Sequence, residues 1–219
     1  MINSNTHIVF DLDDTLYKEI DFVKSAYVYI NNYLKIRFKL DLSSDIERCI
    51  NKNINFFDFI NSQLSLQKRL SIEKYLNLYR FHYPKISLSD DTNIFLRELT
   101  RKNVDFSIIT DGRSISQRNK VHSLALSDLA KNIIISEETG FEKPDFHNFK
   151  LIENLHIGKK FIYVADNTSK DFVAPNALNW DTFCLLDNGQ NIHKQNFTLN
   201  TEYMPKKRIK SFKELMLLF

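Results

Sequence analysis

The chain has little of what marks disulfide-stapled, fibrous, disordered or membrane-spanning proteins. Its 219 residues include 2 cysteines, 4 glycines, 4 prolines and 1 tryptophan. Cys49 and Cys184 stand far apart with no CxxC pair and no histidine-rich neighbourhood, so both read as small buried hydrophobes, not as a disulfide or zinc ligands. So few glycines and prolines leave little room for linkers or low complexity, and no internal repeat is visible. No segment approaches the roughly 18 apolar residues that a membrane span requires. The polar opening Met1 to His7 lacks the charged and then apolar regions of a secretory leader, so a cytoplasmic protein is expected. A net charge of +3 is small, and the basic run Lys206-Lys207-Arg208 reads as a solvated loop face. Neither a nucleic acid polymer nor a membrane is expected as a partner, and oligomeric state is left open.

What is present is an ordinary globular composition, 43% hydrophobic and 26% charged, in a chain long enough for a core with an inserted smaller lobe. Five segments are rich in β-formers and nearly continuous in apolar residues: Ile8 to Phe10, Val104 to Thr110, Ile133 to Ser136, Phe161 to Ala165 and Thr182 to Leu186. Strands of that kind are covered on both faces. Helical spacing follows between them, with apolar residues at Ile94, Leu96 and Leu99, at Val121, Leu124 and Leu126, and at Phe149, Ile152 and Leu155. The alternation predicts an α/β protein with a doubly wound parallel sheet.

One interval breaks the rhythm. From about Glu19 to Leu88 no strand pattern occurs, while Phe22, Ala26, Tyr29, Ile30 and Tyr33, and later Ile72, Tyr75, Leu76 and Tyr79, repeat at helical spacing. The expectation is a Rossmann-like core from residues 1–18 and 89–219, with an α-helical cap, 19–88, over the end of the first strand. The cap's aromatics read as helix-to-helix packing. Asp187 to Tyr203 reads as polar loop, and Ser211 to Phe219 as a closing helix against the core.

Ligands of open parallel sheets collect at the carboxyl ends of strands. The first strand ends in Asp11 and Asp13, acids on one face that repel unless a cation neutralises them. The second ends in Thr110-Asp111-Gly112-Arg113, the third leads to Glu142-Lys143-Pro144-Asp145, and the fourth to Asp166-Asn167 with Lys170-Asp171 behind. Alone, each is an ordinary turn or loop; together they supply a nucleophile, a hydroxyl, a cation and metal-binding carboxylates. The histidines, among them His82, His122 and His147, show no metal-like spacing and read as surface or cap residues.

In order and spacing, Asp11-Leu12-Asp13-Asp14-Thr15-Leu16, Thr110-Asp111-Gly112, Lys143-Pro144-Asp145 and Asp166-Asn167 with Asp171 resemble the four motifs of the haloacid dehalogenase-like hydrolases, and the helical insert is similar to that superfamily's C1-type cap. The resemblance implies that Asp11 is the nucleophile, forming an aspartyl-phosphate. It implies Mg²⁺ held by the Asp11 and Asp166 side chains and the Asp13 backbone carbonyl, with Asp171 and Asn167 in support. Asp13 would be general acid and then base; dehalogenases of the family lack a carboxylate there, so Asp13 points to phosphomonoester chemistry. Thr110, the amides near Asp111 and Gly112, and Lys143 would bind the phosphoryl group, while the Asp111 side chain reads as an exposed turn. Arg113 either touches substrate phosphate or covers the start of a helix; Asn167 and Lys170 are also explained as a loop start and a helix-face lysine.

Two residues depart from the family pattern. Ala165 stands where a glycine is usual before the fourth motif, a methyl that would crowd the metal loop, and Asn179 replaces a helix-ending glycine, a place where asparagine tolerates the left-handed conformation. The expected function is a Mg²⁺-dependent phosphomonoesterase acting on a small soluble phosphate ester, a nucleoside monophosphate or a sugar phosphate, with the aromatic cap favouring a ring-bearing substrate. The alternatives are a phosphomutase and a non-catalytic binding or regulatory protein of the same fold.

Overall fold

A computed structural model describes residues 2–219. Among them, β1 (Thr6–Phe10), β2 (Asp105–Thr110), β3 (Ile133–Ile135), β4 (Lys160–Ala165), β5 (Asp181–Leu185) and β6 (Lys207–Ile209) form one parallel sheet in the order β3-β2-β1-β4-β5-β6. The order reverses between β1 and β4, so the crevice of this doubly wound, Rossmann-like sheet opens where those two strands end. β1 is buried along its whole length, and its residues alternate between two cores: Ile8 and Phe10 face one, Val9 the other. That two-sided burial explains why the strand reads as an unbroken apolar run.

In the first core Phe10, fully buried, meets the rings of Phe95, Phe106 and Phe212 edge-on at centroid distances of 6.2, 5.6 and 5.9 Å. Truncating such a ring costs about 3–5 kcal/mol. The second core gathers Phe149, Tyr163, Phe172 and Trp180.

Residues between β1 and β2 form α1 (Glu19–Phe38), α2 (Ile46–Asn51), α3 (Phe56–Gln63), α4 (Ile72–Phe81) and α5 (Asp90–Arg101). The first four hold a separate core of Ile30, Leu34, Leu42, Ile46, Cys49, Phe56, Ile60, Leu64 and Tyr75. Local signals set their ends: Asn55 caps α3 through the amides of Phe57 and Asp58, Ser71 caps α4 through Lys74, and Lys39 closes α1 in the left-handed conformation. The aromatics pack on one another as expected, Tyr27 on Phe56 at 4.3 Å and Phe57 on Tyr75 at 5.0 Å between centroids. Phe22 is different, because it belongs to the main sheet's core.

The later helices are α6 (Ser114–Ser123), α7 (Ser136–Thr139), α8 (His147–Leu155), α9 (Val173–Ala177) and α10 (Phe212–Met216). The five expected strands are present, as is a closing helix, but Lys207 and Arg208 belong to edge strand β6 instead of a loop. Their side chains remain exposed, and charge on an edge strand discourages pairing with another sheet. The helical faces also differ in detail. Phe95 is buried where Ile94 is exposed, and Tyr29, Ile72 and Leu155 also face solvent. Leu124 and Leu126 are buried just beyond the end of α6. His7 is not a surface residue: it lies fully buried in β1, stacked on His156 with ring centroids 3.7 Å apart.

Candidate active site

β1 delivers Asp11 to the crevice, and its main-chain amide donates to the Val164 carbonyl of β4 at 3.0 Å. Asp11 Oδ1 accepts a hydrogen bond from Lys143 Nζ at 2.6 Å, and the same ammonium lies 2.8 Å from Asp171 Oδ1 and 3.3 Å from the Tyr163 hydroxyl. Asp171 Oδ1 is buried, and its contact with Lys143 lacks hydrogen-bond geometry. Burial disfavours the Lys143 charge, but Asp11 and Asp171 outweigh it and hold the ammonium well above its usual range.

The acids feel the opposite balance. Burial, offset in part by Lys143 and reinforced by Asp171, pushes Asp11 up to about 7. Burial, then Asp171 and Asp11, push Asp166 up to about 9. One carboxylate oxygen from each of Asp11, Asp166 and Asp171 lies within 4.8 Å of the others. Three buried carboxylates, only two of them in contact with Lys143, lack positive charge, and a set of hard oxygen donors suits a divalent cation such as Mg²⁺. Asp171 joins this cluster directly, a closer place than the supporting one expected of it.

Asp13 sits beside the cluster with its carboxylate engaged by three side chains. Lys120 Nζ lies 2.7 and 2.9 Å from its two oxygens, Gln117 Nε2 donates to Oδ2 at 2.9 Å, and the Tyr17 hydroxyl donates to Oδ1. Burial would raise Asp13, but the Lys120 charge and these hydrogen bonds prevail and lower it. Thr110, buried at the end of β2, accepts from Gln117 Nε2 at 2.5 Å, which leaves the threonine's own hydroxyl hydrogen to point elsewhere.

Other expected residues take different roles. Gly112 needs its freedom from a side chain, having φ 135°, but its amide donates to Ser136 Oγ at 3.0 Å. Asp111 is no exposed turn: Oδ1 accepts from the Lys143 amide at 3.1 Å and Oδ2 from Lys170 Nζ at 2.6 Å, joining three motif loops. Asn167 donates its amide to Asp171 Oδ2 at 2.8 Å, while Lys170 lines the cavity. Arg113 pairs on the surface with Glu137 at 2.6 Å and does not line the cavity. Ala165 packs its methyl into the second core, and Asn179 does adopt φ 60°.

Several neighbours of the site carry no recognisable signal in the sequence. Asp14, buried at φ 54°, accepts the amides of Glu19 and Ile192. Asn191 donates to Asp166 Oδ2 at 2.8 Å. Glu19 and His193 line a cavity of about 100 Å³ with Asp11, Asp13, Thr110, Lys143 and Asp166. Burial and Asp13 raise Glu19 to about 8. One signal was available for Gln117 and Lys120: they are polar residues on the buried face of the helix that follows the Thr110 strand.

A lysine-bridged carboxylate cluster at the switch point of a doubly wound sheet defines the class, an α/β enzyme with an aspartate-centred site. The chain belongs to the haloacid dehalogenase-like hydrolase family, whose model matches residues 8–184, and its enzymatic type is that of a phosphatase. It is 28% identical to a glyceraldehyde 3-phosphate phosphatase of Methanocaldococcus jannaschii, over 82% of this chain and 84% of that protein. It is 32% identical to a ribulose-1,5-bisphosphate 5-phosphatase of Halopiger xanaduensis over a shorter stretch, 45% of this chain and 42% of that one. The magnesium-bound HAD-hydrolase YfnB of Bacillus subtilis shares the fold at TM-score 0.64 and 19% identity, with 97% of each chain covered.

Proposed function

We propose that this enzyme hydrolyses a small sugar phosphate, passing the phosphoryl group first to Asp11 and then to water. The observation that carries the reading is the Asp11 carboxylate, buried, held 2.6 Å from Lys143 and facing a cavity lined by Thr110 and the remaining acids. Asp13 rests ionised against Lys120, and the incoming phosphate dianion favours its taking up a proton with the substrate. An Asp11 oxygen then bonds to phosphorus as the ester P–O bond breaks, and Asp13 passes that proton to the departing alkoxide. Asp13 then takes a proton from water, whose oxygen bonds to phosphorus as the bond to Asp11 breaks. Inorganic phosphate leaves, and both carboxyl groups return to their starting forms. Lys143 and the Thr110 hydroxyl stabilise the charge on the phosphoryl oxygens.

Mg²⁺ would be held by the Asp11 and Asp166 side chains and the Asp13 carbonyl, with Asp171 in reach. When bound, it supplies positive charge to the phosphoryl group. The helical segment 19–88 serves as a cap, a role supported by Glu19 in the cavity wall and Phe22 against the core.

The cavity argues against a nucleotide. About 100 Å³ is small beside the roughly 300–1,000 Å³ of sites that hold drug-sized ligands, and His193 is the only ring in its lining. The cap's aromatics pack on one another instead, which removes the reason to expect a ring-bearing substrate. The two phosphatase relatives act on a triose phosphate and a pentose bisphosphate by name. Among the described residues no helix is long and apolar enough to cross a membrane, and both cysteines are free and buried; a cytoplasmic location belongs to the proposal.

The test is release of inorganic phosphate from triose, pentose and hexose phosphates and nucleoside monophosphates, with Mg²⁺ and with EDTA, by the natural chain and Asp11→Asn. Metal-dependent release from the small sugar phosphates, lost in the variant, is expected. Preference for nucleotides would overturn the substrate class, and near-normal activity of Asp11→Asn would overturn the mechanism.

A further inference from the structure

Lys120 is a buried charge that the reaction described above does not use. It is 4% exposed on α6, and its ammonium spans 107 positions of sequence to contact both Asp13 oxygens, with the Phe22 ring centroid 4.3 Å away. A lysine this deep is rare unless paired, and a buried ion pair is seldom better for stability than apolar residues of the same volume. Stability therefore gives a poor account of it. Its partners give a better one: Tyr17 comes from the turn after β1, Gln117 lies one helical turn before Lys120, and each donates to a different Asp13 oxygen. Gln117 also donates to Thr110 Oγ1, so one amide ties the acid–base carboxylate to the phosphoryl-binding hydroxyl.

We propose that Lys120, assisted by Gln117 and Tyr17, is a positioning residue that fixes the Asp13 carboxyl group relative to the leaving oxygen. A carboxyl group on a short side chain has two torsions free to rotate, and proton delivery requires one setting of them. A donor spanning both oxygens, with one more donor on each, removes that freedom. Phe22 packs on the same ammonium from α1, so the first helix of the insert also shapes the setting. The proposal rests on the reading of Asp13 as acid and base.

Leaving-group dependence tests it. A sugar alkoxide needs a proton to depart, whereas the nitrophenolate of 4-nitrophenyl phosphate leaves without one. Single-turnover rates of leaving-group release, the step before water attacks, are measured for both esters with Lys120→Met, Lys120→Arg, Asp13→Asn and the Asp13→Asn/Lys120→Met double variant, each checked for folding by circular dichroism. Lys120→Met is expected to slow the sugar phosphate about 100-fold and the aryl ester no more than about 3-fold. Lys120→Arg should restore most of the sugar phosphate rate, and Lys120→Met should add nothing in the Asp13→Asn background. Equal losses on both esters, or full additivity with Asp13→Asn, would overturn the proposal. Should Lys120→Met fail to fold, Tyr17→Phe must show the same split to a smaller degree, and its absence counts against the proposal equally. Asp13→Asn separates the two levels: a normal sugar phosphate rate there removes the acid–base reading itself, while a slow rate there beside a normal Lys120→Met removes only the role of Lys120.

Discussion

Lys143 reaches across 132 positions of sequence to place its ammonium 2.6 Å from Asp11 Oδ1. The same ammonium touches Asp171, so it is the positive charge shared by a cluster of acids. Removing it should act in opposite directions on chemistry and on metal binding. Lys143→Ala is expected to lower turnover about 100- to 1,000-fold, because a preorganised charge on the phosphoryl group is lost. Mg²⁺ binding, followed by calorimetric titration, should hold or tighten, because the cation then meets acids without a competing lysine. Weaker Mg²⁺ binding would show instead that Lys143 arranges the cation's ligands.

Metal removal should expose the repulsion among those acids as a pH-dependent instability. Asp11 and Asp166 have ordinary values of 3.8 and are pushed up to about 7 and about 9 in the fold. Between pH 4 and those values the folded chain binds more protons than the unfolded one, so stability is greatest below the ordinary value and falls as pH rises. Thermal melts in EDTA should therefore drop from pH 5 to pH 8, and Mg²⁺ should reverse most of that drop. Asp11→Asn should lessen the fall in EDTA while abolishing turnover. A flat pH profile in EDTA would contradict the cluster's crowded charge.

Much of this arrangement was legible because strand ends and motif order are local properties of a chain. Asp11, Thr110 and Asp166 each end or follow an apolar run, Lys143 lies in the loop that leads on from another, and a doubly wound sheet brings such ends together whatever loops lie between. What could not be read is what depends on distant pairing. Asp111 becomes a brace only because the Lys143 loop folds over it, and Lys120 matters only because α6 turns its buried face toward β1. β6 was hidden by charge: Lys207 and Arg208 suit an edge strand but carry no apolar alternation. Ile94 and Phe95 show a finer limit, since one residue's shift around a helix decides which of two neighbouring apolar side chains enters the core.

His7, a strand residue that looks polar in sequence, is another whose place depends on distant packing, and its burial makes a second pH prediction. The imidazole is fully buried in β1, stacked on His156, with Nε2 2.8 Å from Ser107 Oγ and Nδ1 without a partner. Burial, aided by His156, lowers it from an ordinary 6.5 to about 3. In that window the unfolded chain binds the extra proton, so stability is lost as pH falls from 6.5 towards 3. This group's contribution approaches about 1.4 kcal/mol per pH unit. Denaturant melts of His7→Gln should show a shallower loss of stability between pH 6 and pH 4 than those of the natural chain. An unchanged slope would mean that the proton goes elsewhere.

The polar stretch after β5 supplies the last prediction. Asp187 accepts the amides of Gly189, Gln190 and Asn191, and this turn presents Asn191 to the site. Asn191 Nδ2 then donates to Asp166 Oδ2 at 2.8 Å, while its Oδ1 accepts from Lys18 Nζ at 2.6 Å. Both ends of the amide are thus used, one of them to orient a carboxylate proposed to bind the cation. Residues that orient metal ligands typically contribute 10- to 100-fold in affinity. Asn191→Ala should weaken Mg²⁺ binding by about 10-fold or more and raise the Mg²⁺ concentration needed for half-maximal phosphate release, with turnover at saturating Mg²⁺ changed far less. Asn191→Asp separates charge from orientation: it removes the donor to Asp166 but adds a carboxylate. If orientation is what matters, both variants bind Mg²⁺ less tightly than the natural chain; tighter binding by Asn191→Asp alone would mean that the site responds to total negative charge.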